Sequence, residues 1–224
     1  MDTARVYVEA QDRLLEIAGD IGEDGGAVPV PALPGWTIKD TYAHLAGVSA
    51  DVLSGATPAD IGDDQWTARH VSERADRRLA QIRAEWAGNA AAMKDHLGAR
   101  SGLGSALTAV DAWHHEQDIR GALRFPGGRR DAAEVTDVVV AGLSGGWPED
   151  LPAVRIECID AEARWTVGPG RPGVRLRARV FDVARLLIGR RSRAQALALP
   201  WEGPVGTVLE YLHVFPMPTV GLVE

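Results

Sequence analysis

The chain has 224 residues, 46% of them hydrophobic and 25% charged, a globular balance that excludes a disordered or collagen-like polymer. Its net charge is −7, with 14 Lys/Arg against 24 Asp/Glu in residues 1–150 and 10 against 7 in residues 151–224; the acidic first part argues against nonspecific nucleic-acid binding. A single cysteine, Cys158, excludes an intrachain disulfide framework and a thiolate metal cluster, and without a signal peptide or an apolar run long enough to span a membrane the expectation is a soluble, cytoplasmic protein.

The first 145 residues read as helices. Val6, Ala10, Leu14, Ile17 and Ile21 recur on one face and predict a helix from Val6 to Ile21, stopped by the loop Gly22 to Gly26. The Pro-rich stretch Val28 to Gly35 should be extended. A second helix is expected from Thr37, with Thr37 as N-cap and Asp40 completing a capping box, to about Leu53, before Gly55 and Pro58. Val71, Ala75, Leu79, Ile82 and Trp86 form a stripe that predicts a third helix over Ser72 to Ala92. A glycine-containing loop, Gly98 to Gly104, lacks the Lys and the strand–helix context of a phosphate-binding loop. A fourth helix follows over Ser105 to Leu123, then a short apolar one from Ala132 to Leu143 that bridges to the next part.

The pattern changes after Gly145. Val154 to Ile159 and Ala163 to Val167 read as strands, and Gly168 to Gly173 as a turn. Val174, Leu176, Ala178 and Val180 alternate with Arg175, Arg177 and Arg179 as a half-buried strand. Helical periodicity returns over Asp182 to Ile188, and a last helix is expected over Val205 to His213. The fold class is therefore α+β: an antiparallel four-helix bundle over residues 1–145 and a small α+β module over 146–224. The arginines of the second part, among them Arg171, Arg185, Arg190, Arg191 and Arg193, read either as an anion site or as solvated strand faces and helix ends.

The histidines carry the chemical signal. Asp111 and His115 are four apart in the fourth helix, share a face and are able to grip one ion together. Asp118 follows on nearly the same face, as an orienting partner for a ligand imidazole or as a carboxylate beside ion-bound water. His114 points about 100° away on the helical wheel. With His44 from the second helix, Asp111 and His115 give three N/O ligands and an open position, the arrangement of a catalytic rather than a structural metal. Zn²⁺ is the default, and the donor set also admits Ni²⁺, Fe²⁺ or Mn²⁺. The competing reading makes His115 a hydrogen-bonded core histidine oriented by Asp111, and His44 a separate core residue.

The stretches LPGWTIKDTYAHLAGV (33–48) and DAWHHEQDIRGAL (111–123) resemble the mycothiol-dependent maleylpyruvate isomerase family, within the broader DinB-like superfamily. The stretch ARWTVGPGRPGVRLRARVFDVARLLIGRRSRAQAL (163–197) resembles the second domain often attached to that family, so the resemblance covers almost the whole chain. It implies a DinB-like bundle followed by a small α/β module, with metal ligands at His44, His115 and Asp111, where the family carries Glu in place of this shorter Asp.

The resemblance also implies mycothiol, a low-molecular-weight thiol, as cosubstrate, with isomerase or thiol S-transferase chemistry on a small, anionic electrophile. No protein thiol is then required, and Cys158 reads as a small sheet residue. Arg120 is a candidate holder of a substrate carboxylate, and a salt bridge to Glu116 is its competing role. Trp36 and Trp113, together with Trp66, line a pocket near the helix ends or serve as core. Two other functions stay open: a noncatalytic or vestigial metal- or small-molecule-binding protein, and a metal-dependent hydrolase using ion-bound water. The implied partners are a small-molecule substrate and a thiol, without nucleic acid or membrane, for a monomer or homodimer.

Overall fold

A computed structural model of the chain describes residues 1–58 and 62–224. These divide into two compact units, Asp2–Gly128 and Arg129–Val223. Among the described residues no helix is long and apolar enough to cross a membrane.

The first unit is a four-helix bundle. Its first leg, α1 (Thr3–Gly26), starts under an Asp2 cap and buries Val6, Tyr7, Ala10, Leu14 and Ile17. It runs past the expected stop, but Gly22 (φ 61°, ψ −165°) interrupts it where the sequence placed the loop. The Pro-rich stretch folds back on itself, with the Val30 and Ile38 amides donating to the Trp36 and Val28 carbonyls at 2.9 Å. That turn fixes Trp36 at the mouth of α2 (Ile38–Ser54), which begins with the Thr37/Asp40 capping box and ends at a left-handed Gly55. The last leg is α6 (Leu103–Leu123), packed against α1 and α2.

The third leg departs from expectation. In place of one helix over Ser72 to Ala92 the chain forms a turn, then α4 (Leu79–Gly88) and the start of α5 (Ala90–Gly98), and a separate helix, α3 (Asp64–Ser72), precedes them. Leu79, Ile82 and Trp86 are buried as the stripe requires, but Ala75 is exposed and Val71 only half-buried. The break has tertiary causes. The Glu23 carboxylate of α1 accepts from the Leu79 and Ala80 amides at 2.9 and 3.1 Å, capping a new helix start. Arg74, in the intervening turn, is buried and donates to Glu85 and to the His70 carbonyl. The α4–α5 leg packs on α1 and α2, where Trp86 donates to the Tyr7 hydroxyl at 2.9 Å and Tyr42 to the Leu14 carbonyl at 2.6 Å.

The second unit holds α7 (Ala132–Gly145), β1 (Ala153–Cys158), β2 (Arg164–Val167), β3 (Pro172–Ala178), α8 (Val180–Leu187), α9 (Arg193–Leu197) and β4 (Trp201–Glu202). Its sheet runs β2-β1-β3-β4, with β1 parallel to β3 and the outer pairs antiparallel. In β3, Val174, Leu176 and Ala178 are buried while Arg175 and Arg177 face out, so the strand arginines are solvated. Arg185, Arg190 and Arg191, by contrast, are buried. The α7 helix packs on α8 and β2, within this unit. The expected last helix is two short 3₁₀ turns, Val205–Thr207 and Leu209–Tyr211. In β1, burial and neighbouring Asp160 push the Cys158 thiol up to about 11, so it is no ready nucleophile.

Candidate metal centre

Helix α6 is buried nearly all round, although its middle reads His-His-Glu-Gln-Asp. Buried polar groups need partners, and this helix supplies or recruits them. Glu116, fully buried, takes Arg13 Nε and Nη2 on its two carboxylate oxygens, both at 2.8 Å, and Arg120 Nε at 2.8 Å. Gln117 donates to the Trp113 carbonyl at 3.2 Å. The remaining polar face carries Asp111, His115 and Asp118.

That face meets α2 at His44. The Asp111 carboxylate stands between two imidazoles, with Oδ1 3.2 Å from His115 Nε2 and Oδ2 3.5 Å from His44 Nε2. One donor atom from each of the three residues lies within 4.8 Å of the other two. A tetrahedral ion with bonds of roughly 2.0–2.1 Å sets its ligands about 3.3–3.4 Å apart, and each imidazole stands near that distance from one Asp111 oxygen, a different oxygen for each. The shorter Asp side chain therefore reaches both imidazoles. Asp111 Oδ2 is buried without a hydrogen-bond partner among the described residues, an orphaned acceptor that suits a cation. The donor set, two imidazole nitrogens and a carboxylate, fits Zn²⁺ or a similar divalent metal.

The charges are strongly coupled. Burial alone would lower the pKa of His115, but the Asp111 and Asp118 carboxylates outweigh it and push it up to about 9. Burial likewise opposes ionisation of Asp111, yet the neighbouring His115 holds its carboxyl well below the usual range. In the metal-free chain the site is thus an ion pair between a buried His115 and a half-buried Asp111, and a divalent ion would replace the His115 proton.

Both imidazoles are held from behind. His115 Nδ1 is 3.1 Å from Asp118 Oδ2, and Asp118 is almost completely buried. His44 Nδ1 is 3.3 Å from Nδ1 of His70, a fully buried residue of α3. His70 Nε2 in turn lies 2.9 Å from Asp51 Oδ2, two turns beyond His44 on α2. The same oxygen accepts from Trp66 Nε1 at 2.5 Å and Arg69 Nη2 at 2.6 Å. Burial works against the Asp51 charge, but the hydrogen bonds from His70, Trp66 and Arg69 prevail and lower its pKa. Burial lowers that of His70, which is neutral at physiological pH. Gly47 makes the room: a Cβ there would stand 2.3 Å from the His70 ring.

The other expected site residues divide. Trp36 lies against the centre, its ring 5.4 Å from that of His44 and stacked at 6.5 Å on that of His115. Trp66 sits edge-on to His44 at 6.1 Å. Trp113 is fully buried and packs edge-on against the His114 ring at 4.9 Å, a core position. Arg120 donates to Glu116 and to the Pro126 carbonyl, the salt-bridge role weighed for it. His70 and Asp51 were missed by the sequence reading. Their signal was present as Trp66, Arg69 and His70, whose i, i+3, i+4 spacing puts all three on one face of a helix.

Residues 7–120, which contain His44, Asp111 and His115, match the family described as the mycothiol maleylpyruvate isomerase N-terminal domain. No curated protein matches the chain in sequence. Two solved structures share its fold. One is a histidine-to-alanine mutant of the mycothiol-dependent maleylpyruvate isomerase, with a TM-score of 0.58, 14% identity, and 90% of this chain and 93% of that one covered. The other is the mycothiol-dependent maleylpyruvate isomerase, with a TM-score of 0.51, 13% identity and the same coverage. At such identities the likeness is one of fold.

Proposed function

Because the chain belongs to the mycothiol maleylpyruvate isomerase family through its amino-terminal domain, we propose that it is a metal-dependent enzyme using mycothiol as cosubstrate. The proposed chemistry is of isomerase or thiol S-transferase type on a small, anionic electrophile. The observation that carries the reading is the Asp111 carboxylate wedged between His44 Nε2 and His115 Nε2, with one oxygen orphaned. These three residues would hold a divalent ion, Zn²⁺ by preference, with Ni²⁺, Fe²⁺ or Mn²⁺ also compatible. Bound there, such an ion supplies acidity to a thiol or water, holding a thiolate at neutral pH.

The chain's own residues do the rest. Asp118 orients His115 through Nδ1, so that Nε2 faces the centre. Trp36 walls the ligand imidazoles on one side. In an isomerase-type reaction the thiolate adds to a cis double bond, rotation follows about the new single bond, and elimination of the thiolate restores the double bond as trans. In an S-transferase-type reaction the sulfur stays on the product. A sulfur nucleophile brought by a cosubstrate agrees with Cys158, whose raised pKa keeps it protonated. Metal-dependent hydrolysis has less support, because the carboxylate it would use as base, Asp118, is committed to His115. A vestigial site has less support too, since Asp111 reaches both imidazoles.

The test has two arms. Protein purified without added metal should carry about one divalent ion per chain, lost in His44→Ala and His115→Ala. The metal-loaded protein should protect mycothiol from alkylation and convert maleylpyruvate only when the thiol is present. Wild-type protein without stoichiometric metal would sink the metal reading. Metal without thiol protection would leave a binding protein or a hydrolase.

A further inference from the structure

We propose that Asp51 and His70 act as a proton-ordered relay that fixes the tautomer of His44 and so sets the metal affinity of the centre. The inference rests on the reading of His44 as a ligand. Its starting point is Asp51, whose ionised carboxylate only accepts hydrogen bonds. His70 Nε2 lies 2.9 Å from Asp51 Oδ2, so the His70 ring carries its hydrogen on Nε2. In a neutral imidazole this leaves a lone pair on Nδ1.

That lone pair faces His44 Nδ1 at 3.3 Å. The contact needs one donor and one acceptor, and since His70 Nδ1 accepts, His44 Nδ1 donates. The His44 proton is then spent on the side away from Asp111, and Nε2 keeps its lone pair. It is Nε2 that stands 3.5 Å from Asp111 Oδ2 and forms one corner of the three-residue cluster. The reverse order of hydrogens would put N–H on Nε2, aimed where a cation has to sit. A metal-bound histidine held at its other nitrogen by a carboxylate is a recurring device. Here the carboxylate acts through a second imidazole from another helix.

The surroundings hold His70 to this task. It is fully buried, with its ring in the slot left by Gly47. Trp66 and Arg69, from the same helix, donate to the same Asp51 oxygen and fix the carboxylate that reads His70. His70 is thus a positioning residue, with no contact of its own to Asp111 or His115 among those the structure gives.

Two measurements test the relay. Long-range ¹H–¹⁵N correlation spectra of the metal-free wild-type chain at neutral pH should show His44 as the Nδ1–H tautomer and His70 as the Nε2–H tautomer; the opposite pair overturns the proposal without any variant having to fold. Chelator competition with Co²⁺ should then give a roughly 10- to 100-fold weaker affinity in His70→Phe, with a changed Co²⁺ absorption spectrum, and a smaller loss in His70→Gln, which keeps an acceptor. Equal affinity and an unchanged spectrum in a folded His70→Phe overturn the relay while leaving the metal site standing, provided His44→Ala abolishes binding. Wild-type protein that binds no Co²⁺ overturns the site reading and the relay with it.

Discussion

The two histidines of the centre are held in different ways. His115 is oriented from within its own helix by Asp118, three residues away. His44 is oriented from another helix, through His70, by a carboxylate that returns to its own helix at Asp51. The first arrangement is local and survives as long as α6 is helical. The second needs α2 and α3 docked in register, and a glycine between them. One wall of the site is thus secondary structure, and the other is tertiary structure.

The largest expected effect ignores that difference. His44→Ala or His115→Ala removes a ligand, and both should abolish stoichiometric metal in protein analysed by mass spectrometry of its metal content. Retention of metal in either would break the comparison at its root.

The second prediction separates the walls by pH. His115 has a pKa pushed up to about 9, so below that value each ion bound there displaces one proton. Affinity should climb about tenfold per pH unit from neutrality and level off near 9. Stability of the metal-free chain runs the other way. A histidine whose folded pKa lies above its unfolded value of 6.5 contributes fully below 6.5, and that contribution is lost as pH rises through about 9. Isothermal titration and unfolding across this range check both signs.

Next comes Asp118→Asn, which keeps the shape behind His115 and removes a charge. Measured above pH 9, where proton competition is gone, metal affinity should fall roughly tenfold or more. At neutral pH the loss should be smaller, because His115 gives up its proton more easily without Asp118.

The smallest effect belongs to the tertiary wall. Gly47→Ala places a Cβ 2.3 Å from the His70 ring. Overpacking of this kind costs about 1–3 kcal/mol, read by denaturant unfolding. The same variant should weaken metal binding although every ligand is intact, whereas an Ala substitution at exposed Gly104 should do neither.

The same division explains what the sequence disclosed. The Thr37/Asp40 cap, the Asp111/His115 pair and the Asp118 orienter depend on spacings of three and four residues, and they stand where those spacings put them. The α+β class followed from the change of period after Gly145. His70 and Asp51 stayed hidden because their meeting depends on where α3 ends. The run Glu73 to Arg78 contains ordinary helix formers, so the stripe through Leu79 and Trp86 extrapolated backwards into one long helix. Glu23, more than fifty residues away, overrides that propensity by capping Leu79. The parallel pairing of β1 with β3 was hidden for a like reason, since strand periodicity says nothing about partners.

The placement of Asp51, Trp66, Arg69 and His70 has a thermodynamic consequence. Through the His70 ring, seating of the nine-residue helix α3 and occupancy of the centre become linked equilibria. Whatever factor by which a seated α3 tightens the ion, the ion must tighten α3. Cation loading should therefore slow amide hydrogen exchange in α3, a segment that contributes no ligand. The helix serves as a gauge of how full the centre is.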